Sequence, residues 1–149
     1  MILTKKGPNQ STISIEETFR APKDKVFKAW TTPESLKKWF MADEGVVVKE
    51  VTLALEVGGA YEIVAEYPGY DPTPIHGKFI HVIIPDMLEY TWLTPVLNGK
   101  MTKVDVAFIE DGLGSKIILN HGEFANQEEM KLHIQGWKAC IARLHKFLE

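Results

Sequence analysis

Five histidines, one cysteine and a group of large aromatics are the side chains of this protein whose chemistry could go beyond packing. His76 and His81 are five apart in a stretch with strand character, so regular alternation sends them to opposite faces. His81 and His121 can both point inward from different strands, and His133 lies one helical turn before Trp137. An inward imidazole near Tyr or Glu could serve as general acid or base at neutral pH, although its commoner role is a hydrogen-bonded core residue. No HxH, HExxH or Cys-containing ligand cluster occurs, so neither a metal nor another cofactor is expected.

The remaining polar candidates read as structural. Glu62 and Glu66 share one strand face, but the alternation turns that face to solvent, and Asp105 falls opposite Val104 and Val106 in the same way. Cys140 has Gly136 and Leu144 four residues either side and Arg143 three later, which reads as a buried thiol rather than a reactive one. There is no GxSxG, P-loop or GxGxxG; Gly112 and Gly114 form a hairpin with no helix behind them to cradle a phosphate. With no catalytic signature, the sequence leans away from an enzyme.

The element that must position these groups is the closing stretch from Asn126 to Glu149, read as one long helix. Asn126 followed by Glu129 resembles a capping box, with acidic residues at the positive end of the dipole. Met130, Ile134, Trp137, Ile141, Leu144 and Leu148 recur at alternating spacings of four and three, a single apolar stripe along a helix roughly 34 Å long at 1.5 Å per residue.

Ahead of it, Ser11 to Phe19 alternates as a strand, with Ile13, Ile15 and Glu17 on one side. Pro22 suits the first turn of a short helix whose apolar face is Val26, Phe27, Ala29 and Trp30. Thr32 and Pro33 restart the chain as N-cap and first residue of a second short helix burying Leu36, Trp39 and Phe40. From Gly45 the pattern is strand after strand: Gly45 to Ala54, then Val57 to Tyr67 with Tyr61, Ile63 and Ala65 on one face. Gly58-Gly59 marks a bulge or bend where another backbone comes close. A proline-rich loop from Tyr67 to Pro74 leads to Ile75–Ile84, and the Pro85-Asp86 turn to Leu88–Thr94. Asn98-Gly99 signals a hairpin into Lys100–Glu110, with Val104, Val106 and Phe108 inward. Asp111 to Gly114 turns again into Ser115–His121, with Ile117, Leu119 and His121 inward. One bulge would reverse any of these faces.

Composition bounds the rest. The 149 residues suit one domain spanning 1–149, with residues 1–10 as a loose N-terminal segment. A net charge of −3 gives no basic footprint for nucleic acid. No apolar run approaches the ~20 residues of a membrane helix, and Met1 to Gln10 has no apolar signal core, so the expected location is cytoplasmic.

Five groups of residues, in order, resemble a known family. They are Ala21-Pro22 with Val26 to Glu34, Leu36 and Trp39-Phe40; Val57-Gly58-Gly59 with Tyr61; Gly77, Pro85 and Leu88 to Trp92; Gly114 with Leu119 and His121; and His133, Gly136-Trp137, Leu144 and Leu148. Together they look like the branch of the SRPBCC superfamily similar to the activator of the heat-shock-protein-90 ATPase. Ala54 and Glu56 depart from the acidic–Arg pair members often carry before the Gly-Gly, and Pro68-Gly69 lacks the Asp of the usual Pro-Asp-Gly loop.

The resemblance implies an α+β helix-grip fold: a curved seven-stranded antiparallel sheet wrapped on the C-terminal helix, with two short helices between strands 1 and 2. It implies a small hydrophobic ligand held in a cavity between sheet and helix. The expected lining is Trp39, Phe40, Tyr61, Ile63, Tyr90, Trp92, Val106, Phe108, Leu119, His121, His133 and Trp137, with Trp39 and Phe40 near the mouth. Alternatives are a chaperone-associated partner domain and a cyclase- or hydrolase-like enzyme using an inward His or Tyr; a homodimer is compatible with each. A hollow of ~300 Å³ left empty would cost about 7 kcal/mol at ~24 cal/mol per Å³, comparable to the stability of a whole domain.

Overall fold

The computed structural model describes residues 2–5, 11–40, 45–66, 68–69, 73–94 and 100–149, the first four as backbone alone. The expected Asn98-Gly99 hairpin and much of the proline-rich loop lie outside them.

Each alternating segment becomes a strand. β1 (Ile2–Lys5) and β2 (Thr12–Phe19) precede α1 (Lys23–Thr31) and α2 (Pro33–Trp39). Then come β3 (Val47–Leu53), β4 (Ala60–Glu66), β5 (Thr73–Ile83), β6 (Met87–Trp92), β7 (Thr102–Asp111), β8 (Gly114–Gly122) and α3 (Gln127–Leu148). The sheet is antiparallel with the order β1-β2-β8-β7-β6-β5-β4-β3. The chain therefore leaves β2, crosses on the α1–α2 corner to the far edge, meanders back, and seats β8 beside β2. This is the helix-grip arrangement, with the seven expected strands and an added eighth. That eighth, β1, falls in the segment read as loose: Ile2 to Lys5 pair with Ile15 back to Thr12, covering the edge of β2.

The burial pattern follows the alternation. Ile13, Ile15 and Phe19 of β2, Leu88, Tyr90 and Trp92 of β6, Val104, Val106 and Phe108 of β7, and Ile117, Leu119 and His121 of β8 all face the core. Glu62 and Glu66 lie on the outer face, and so does Asp105, which accepts a hydrogen bond from the Asn120 amide at 3.0 Å. His81 departs from the expected inward position. The register between β5 and β6 shifts between Phe79 and His81, and the extra residue, Ile80, reverses the faces beyond it. His81 is thereby exposed and binds Glu89 at 2.7 Å, while Val82 packs against the core.

The Gly-Gly pair stands in the turn before β4 rather than inside the strand. Gly58 has φ +82°, and a Cβ on Gly59 would sit 2.0 Å from the Ala54 carbonyl oxygen. Gly58 N–H donates to the Phe79 carbonyl at 2.8 Å and Phe79 N–H to the Gly59 carbonyl at 2.9 Å, so this turn clamps Phe79 of β5.

Thr32 occupies the junction of the two short helices, but its hydroxyl donates back to the Lys28 carbonyl at 2.6 Å and does not cap α2. The cap of α3 is as expected: Asn126 Oδ1 accepts the Glu129 N–H at 2.9 Å, and Glu129 Oε2 accepts the Ala125 N–H at 3.3 Å. The 22 residues of α3 lie across the sheet on Met130, Trp137, Ile141, Leu144 and Leu148, with Cys140 buried among them and Ile134 partly buried.

Two substitutions test this account of α3 through urea unfolding midpoints. Asn126→Ala should lower stability by about 1 kcal/mol through the lost cap. Gly136→Ala should raise it by ~0.5–1 kcal/mol, since a Cβ there meets nothing within 4 Å on a helical backbone.

Candidate functional site

The space beneath the first half of α3, expected to be hollow, is filled by rings. Trp92, His121, Phe124, His133 and Trp137 pack face to edge or tilted. Centroid separations are 4.6 Å for His121–Phe124 and Phe124–His133, 5.0 Å for Trp92–His121, 5.1 Å for His121–His133 and 5.9 Å for Trp92–Trp137. Trp30 stacks on Trp137 at 6.0 Å and tilts against Trp39 at 4.9 Å. Trp39 is fully buried, its N–H donating to the Ala29 carbonyl at 2.9 Å, so it is a core residue of the helical corner and not a gate.

Hydrogen bonds fix the state of both inward histidines. An indole N–H can only donate. Trp137 Nε1 lies 3.0 Å from His121 Nδ1, which must therefore be the unprotonated nitrogen. His121 Nε2–H donates to the Thr102 hydroxyl at 2.8 Å, and that hydroxyl donates to the Trp92 carbonyl at 3.3 Å. In the same way Trp92 Nε1–H donates to His133 Nε2 at 3.2 Å, and His133 Nδ1–H to the Glu129 carbonyl at 2.9 Å. Every ring nitrogen is used.

Burial reinforces the neutral state. It pushes the His121 pKa well below the usual histidine value, with the neighbouring His133 adding to the effect. Burial lowers His133 as well, opposed by its bond to the Glu129 carbonyl and by the Glu129 charge. Neither imidazole has a lone pair free to take a substrate proton.

Open space lies elsewhere, between the α1–α2 corner and the β3–β6 half of the sheet. It is a slot of about 30 Å³ walled by Trp30, Leu36, Phe40, Val51, Thr52, Leu53, Tyr61, Ile63, Phe79, Tyr90 and Trp92. At ~10–15 Å³ per water centre this admits about two waters. Of the expected lining, Phe40, Tyr61, Ile63, Tyr90 and Trp92 meet here. Val106, Phe108 and Leu119 sit deep in the core, Phe108 against Phe27 and Trp30 of α1, while His121, His133 and Trp137 belong to the ring cluster described above. Trp30, Leu36, Val51, Thr52, Leu53 and Phe79 complete the wall and lie outside the lining expected from sequence. The alternation Ile75, Gly77, Phe79 would have pointed Phe79 inward; nothing local says that Trp30 faces the same space as Val51.

A local irregularity fixes the Tyr61 hydroxyl behind the slot wall. The Thr91 carbonyl accepts the Tyr61 hydroxyl at 2.5 Å, and the Thr91 hydroxyl takes the Lys78 N–H at 2.9 Å. Gly77 permits this: a Cβ there would lie 2.1 Å from the Thr91 oxygen. Tyr61, Phe79 and Tyr90 form a triangle of rings at 5.4 to 5.9 Å. Trp30 Nε1–H donates to the Tyr90 hydroxyl at 3.2 Å. Burial raises both tyrosine pKa values far above the ordinary range, so both remain hydroxyl donors.

The other candidates are dispersed. His145 on α3 contacts Glu17 at 3.1 Å, and His76 is half-buried on the outer face, bridged through its backbone to Leu93. Among the described residues, no group of three His, Cys, Asp or Glu side chains is placed to hold a metal ion. No helix among them is long and apolar enough to cross a membrane.

The histidine pair predicts an acid-sensitive fold. In the unfolded chain both imidazoles titrate near 6.5, whereas in the folded chain they resist protonation. Below about pH 6.5 the unfolded state therefore binds more protons, and stability falls as pH falls, approaching ~1.4 kcal/mol per pH unit for each histidine. Urea unfolding at pH 7.5, 6.0 and 5.5 should show that decline, with a shallower one in His133→Gln; constant stability across the range would contradict it.

Solved structures share the fold at low identity. A Chromobacterium violaceum protein has a TM-score of 0.83 at 20% identity, over 93% of this chain and 97% of that one. A Rhodobacter sphaeroides protein has 0.80 at 18%, over 93% and 92%. A Staphylococcus aureus protein described as of unknown function has 0.77 at 19%, over 92% of each chain. No curated protein matches. The family model described as Activator of Hsp90 ATPase homolog 1-like protein matches residues 20–149, from the end of β2 through α3, and the chain belongs to that family.

Proposed function

We propose that this protein is a binding module that takes a small, mainly apolar molecule into the slot between the α1–α2 corner and strands β3–β6. The observation that carries this reading is the wall itself, where aliphatic and aromatic side chains from two helices and four strands converge on unfilled space. As packed, about 30 Å³ of space costs roughly 0.7 kcal/mol at ~24 cal/mol per Å³, a tenth of the cost of the expected hollow. The empty protein can keep such a slot nearly closed and widen it for a ligand. Widening is easiest at β3, an edge strand hydrogen-bonded on one side. Both inward imidazoles are committed to indole donors, which disfavours the reading of an enzyme with a histidine base.

The test is NMR of the four tryptophan indole N–H groups during titration with ethylbenzene. Trp30, on the wall, should shift more than Trp137, which touches the wall rings only from behind. Leu53→Ala, which shortens a partly buried side chain at the edge of the slot, should tighten binding. If the Trp30 signal moves in neither protein, the slot is not a ligand site.

A second reading has its own observation. Ile83 and Ile84 at the β5–β6 turn are 53% and 64% exposed, and Leu113 in the β7–β8 turn is fully exposed. Both turns lie at one end of the sheet, since Met87 pairs with Ala107. This apolar end could dock a chaperone ATPase of the kind the family description names. The double variant Ile84→Lys, Leu113→Lys should then lose binding to a purified chaperone of the heat-shock-protein-90 class; absence of binding by the wild type removes this reading.

A further inference from the structure

The chemical class of the ligand can be narrowed by asking which polar atoms on the slot wall are still available. Trp92 Nε1–H is taken by His133. The Tyr61 hydroxyl is taken by the Thr91 carbonyl. Trp30 Nε1–H is taken by the Tyr90 oxygen. The Tyr90 hydroxyl therefore has one lone pair engaged, while its own hydrogen meets no acceptor among the described residues. A buried phenol ordinarily finds a partner for its hydrogen, because the donor left dry is costly. Tyr90 is 6% exposed and faces the slot. Two of the three committed groups, Tyr61 and Trp30, flank it and cannot turn away without losing their own bonds. Among the lining residues there is no Lys, Arg or His. An anionic head group would be stripped of water there with no counter-charge, which is strongly unfavourable.

Resting on the slot as the binding site, we propose that its ligand is a neutral molecule with an apolar body and one hydrogen-bond acceptor, a carbonyl or ether oxygen, which accepts the Tyr90 hydroxyl hydrogen. Free carboxylic acids in their ionised form are selected against. Ligands whose polar group is a donor alone are disfavoured too, because they leave the Tyr90 hydroxyl hydrogen without an acceptor.

A ligand–mutant cycle tests this. Acetophenone, ethylbenzene and benzoate share an aromatic body and differ in carrying a carbonyl, no polar group or a carboxylate. Each is titrated into the wild-type protein and Tyr90→Phe, with the Trp30 indole signal as readout. Tyr90→Phe should weaken acetophenone roughly tenfold, the usual worth of one such bond, and leave ethylbenzene unchanged. Benzoate should not shift Trp30 at concentrations where acetophenone saturates it. Because Tyr90→Phe also removes the partner of Trp30 and could impair folding, site-specific 3-fluorotyrosine at position 90 gives a second arm. The more acidic hydroxyl should tighten acetophenone and leave ethylbenzene unchanged. Equal effects on acetophenone and ethylbenzene in both arms would overturn the role of Tyr90 while leaving the slot as a ligand site. Benzoate binding as tightly as acetophenone would overturn the neutral class. No Trp30 shift with any of the three would remove the binding site and this inference together.

Discussion

Sheet and closing helix are joined by two hydrogen bonds of the same kind running in opposite directions. Trp137 on α3 donates to His121 on β8, and Trp92 on β6 donates to His133 on α3. Each layer supplies one indole donor and one imidazole acceptor. Neutral histidines can play this part because each has a second partner that fixes its tautomer, Thr102 for His121 and the Glu129 carbonyl for His133. The Trp137–His121 bond is buried and the Trp92–His133 bond partly so, and breaking the first strands a polar group away from water. Helix position, ring packing and the protonation state of the core are consequently coupled.

That coupling explains why the grip is tight where a hollow would have been costly. Trp92, Trp137, Phe124 and two histidines supply volume and polar complementarity together, and the region beneath the N-terminal half of α3 closes around them. The unfilled space is displaced toward the edge of the sheet, where α2 and β3 are the walls. A short helix and an edge strand make fewer obligatory bonds than central strands, so space there can be adjusted without disturbing the clasp.

The slot in turn depends on departures from regular sheet geometry. The Gly58-Gly59 turn bonds to both backbone groups of Phe79 and holds its ring beside Tyr61 and Tyr90. The Thr91 carbonyl reaches Tyr61 because Gly77 leaves room for it. With the Tyr61 hydroxyl committed in this way and the Trp30 and Trp92 indoles by their own bonds, Tyr90 is distinguished among the ring residues of the wall by its remaining hydrogen.

Much of this architecture is legible along the chain, because period and punctuation are local properties. The four-three stripe of α3, its Asn126 cap, the inward faces of β7 and β8 and the helical corner with Trp30, Trp39 and Phe40 all follow from spacing. The group assembled as the slot wall is less legible. Phe40, Tyr61, Ile63, Tyr90 and Trp92 can be named from their strands and helix, but Trp30, Val51 and Phe79 join them through contacts between elements distant in sequence. His81 turns outward because one extra residue, Ile80, enters the β5–β6 register, and no propensity marks that insertion. Above all, a list of large aromatics does not say whether they surround space or occupy it. Whether Trp92 and Trp137 enclose a hollow or close it depends on how rings from α1, α3, β6 and β8 interlock at contact distance, a property of packing in three dimensions that amino-acid order does not carry residue by residue.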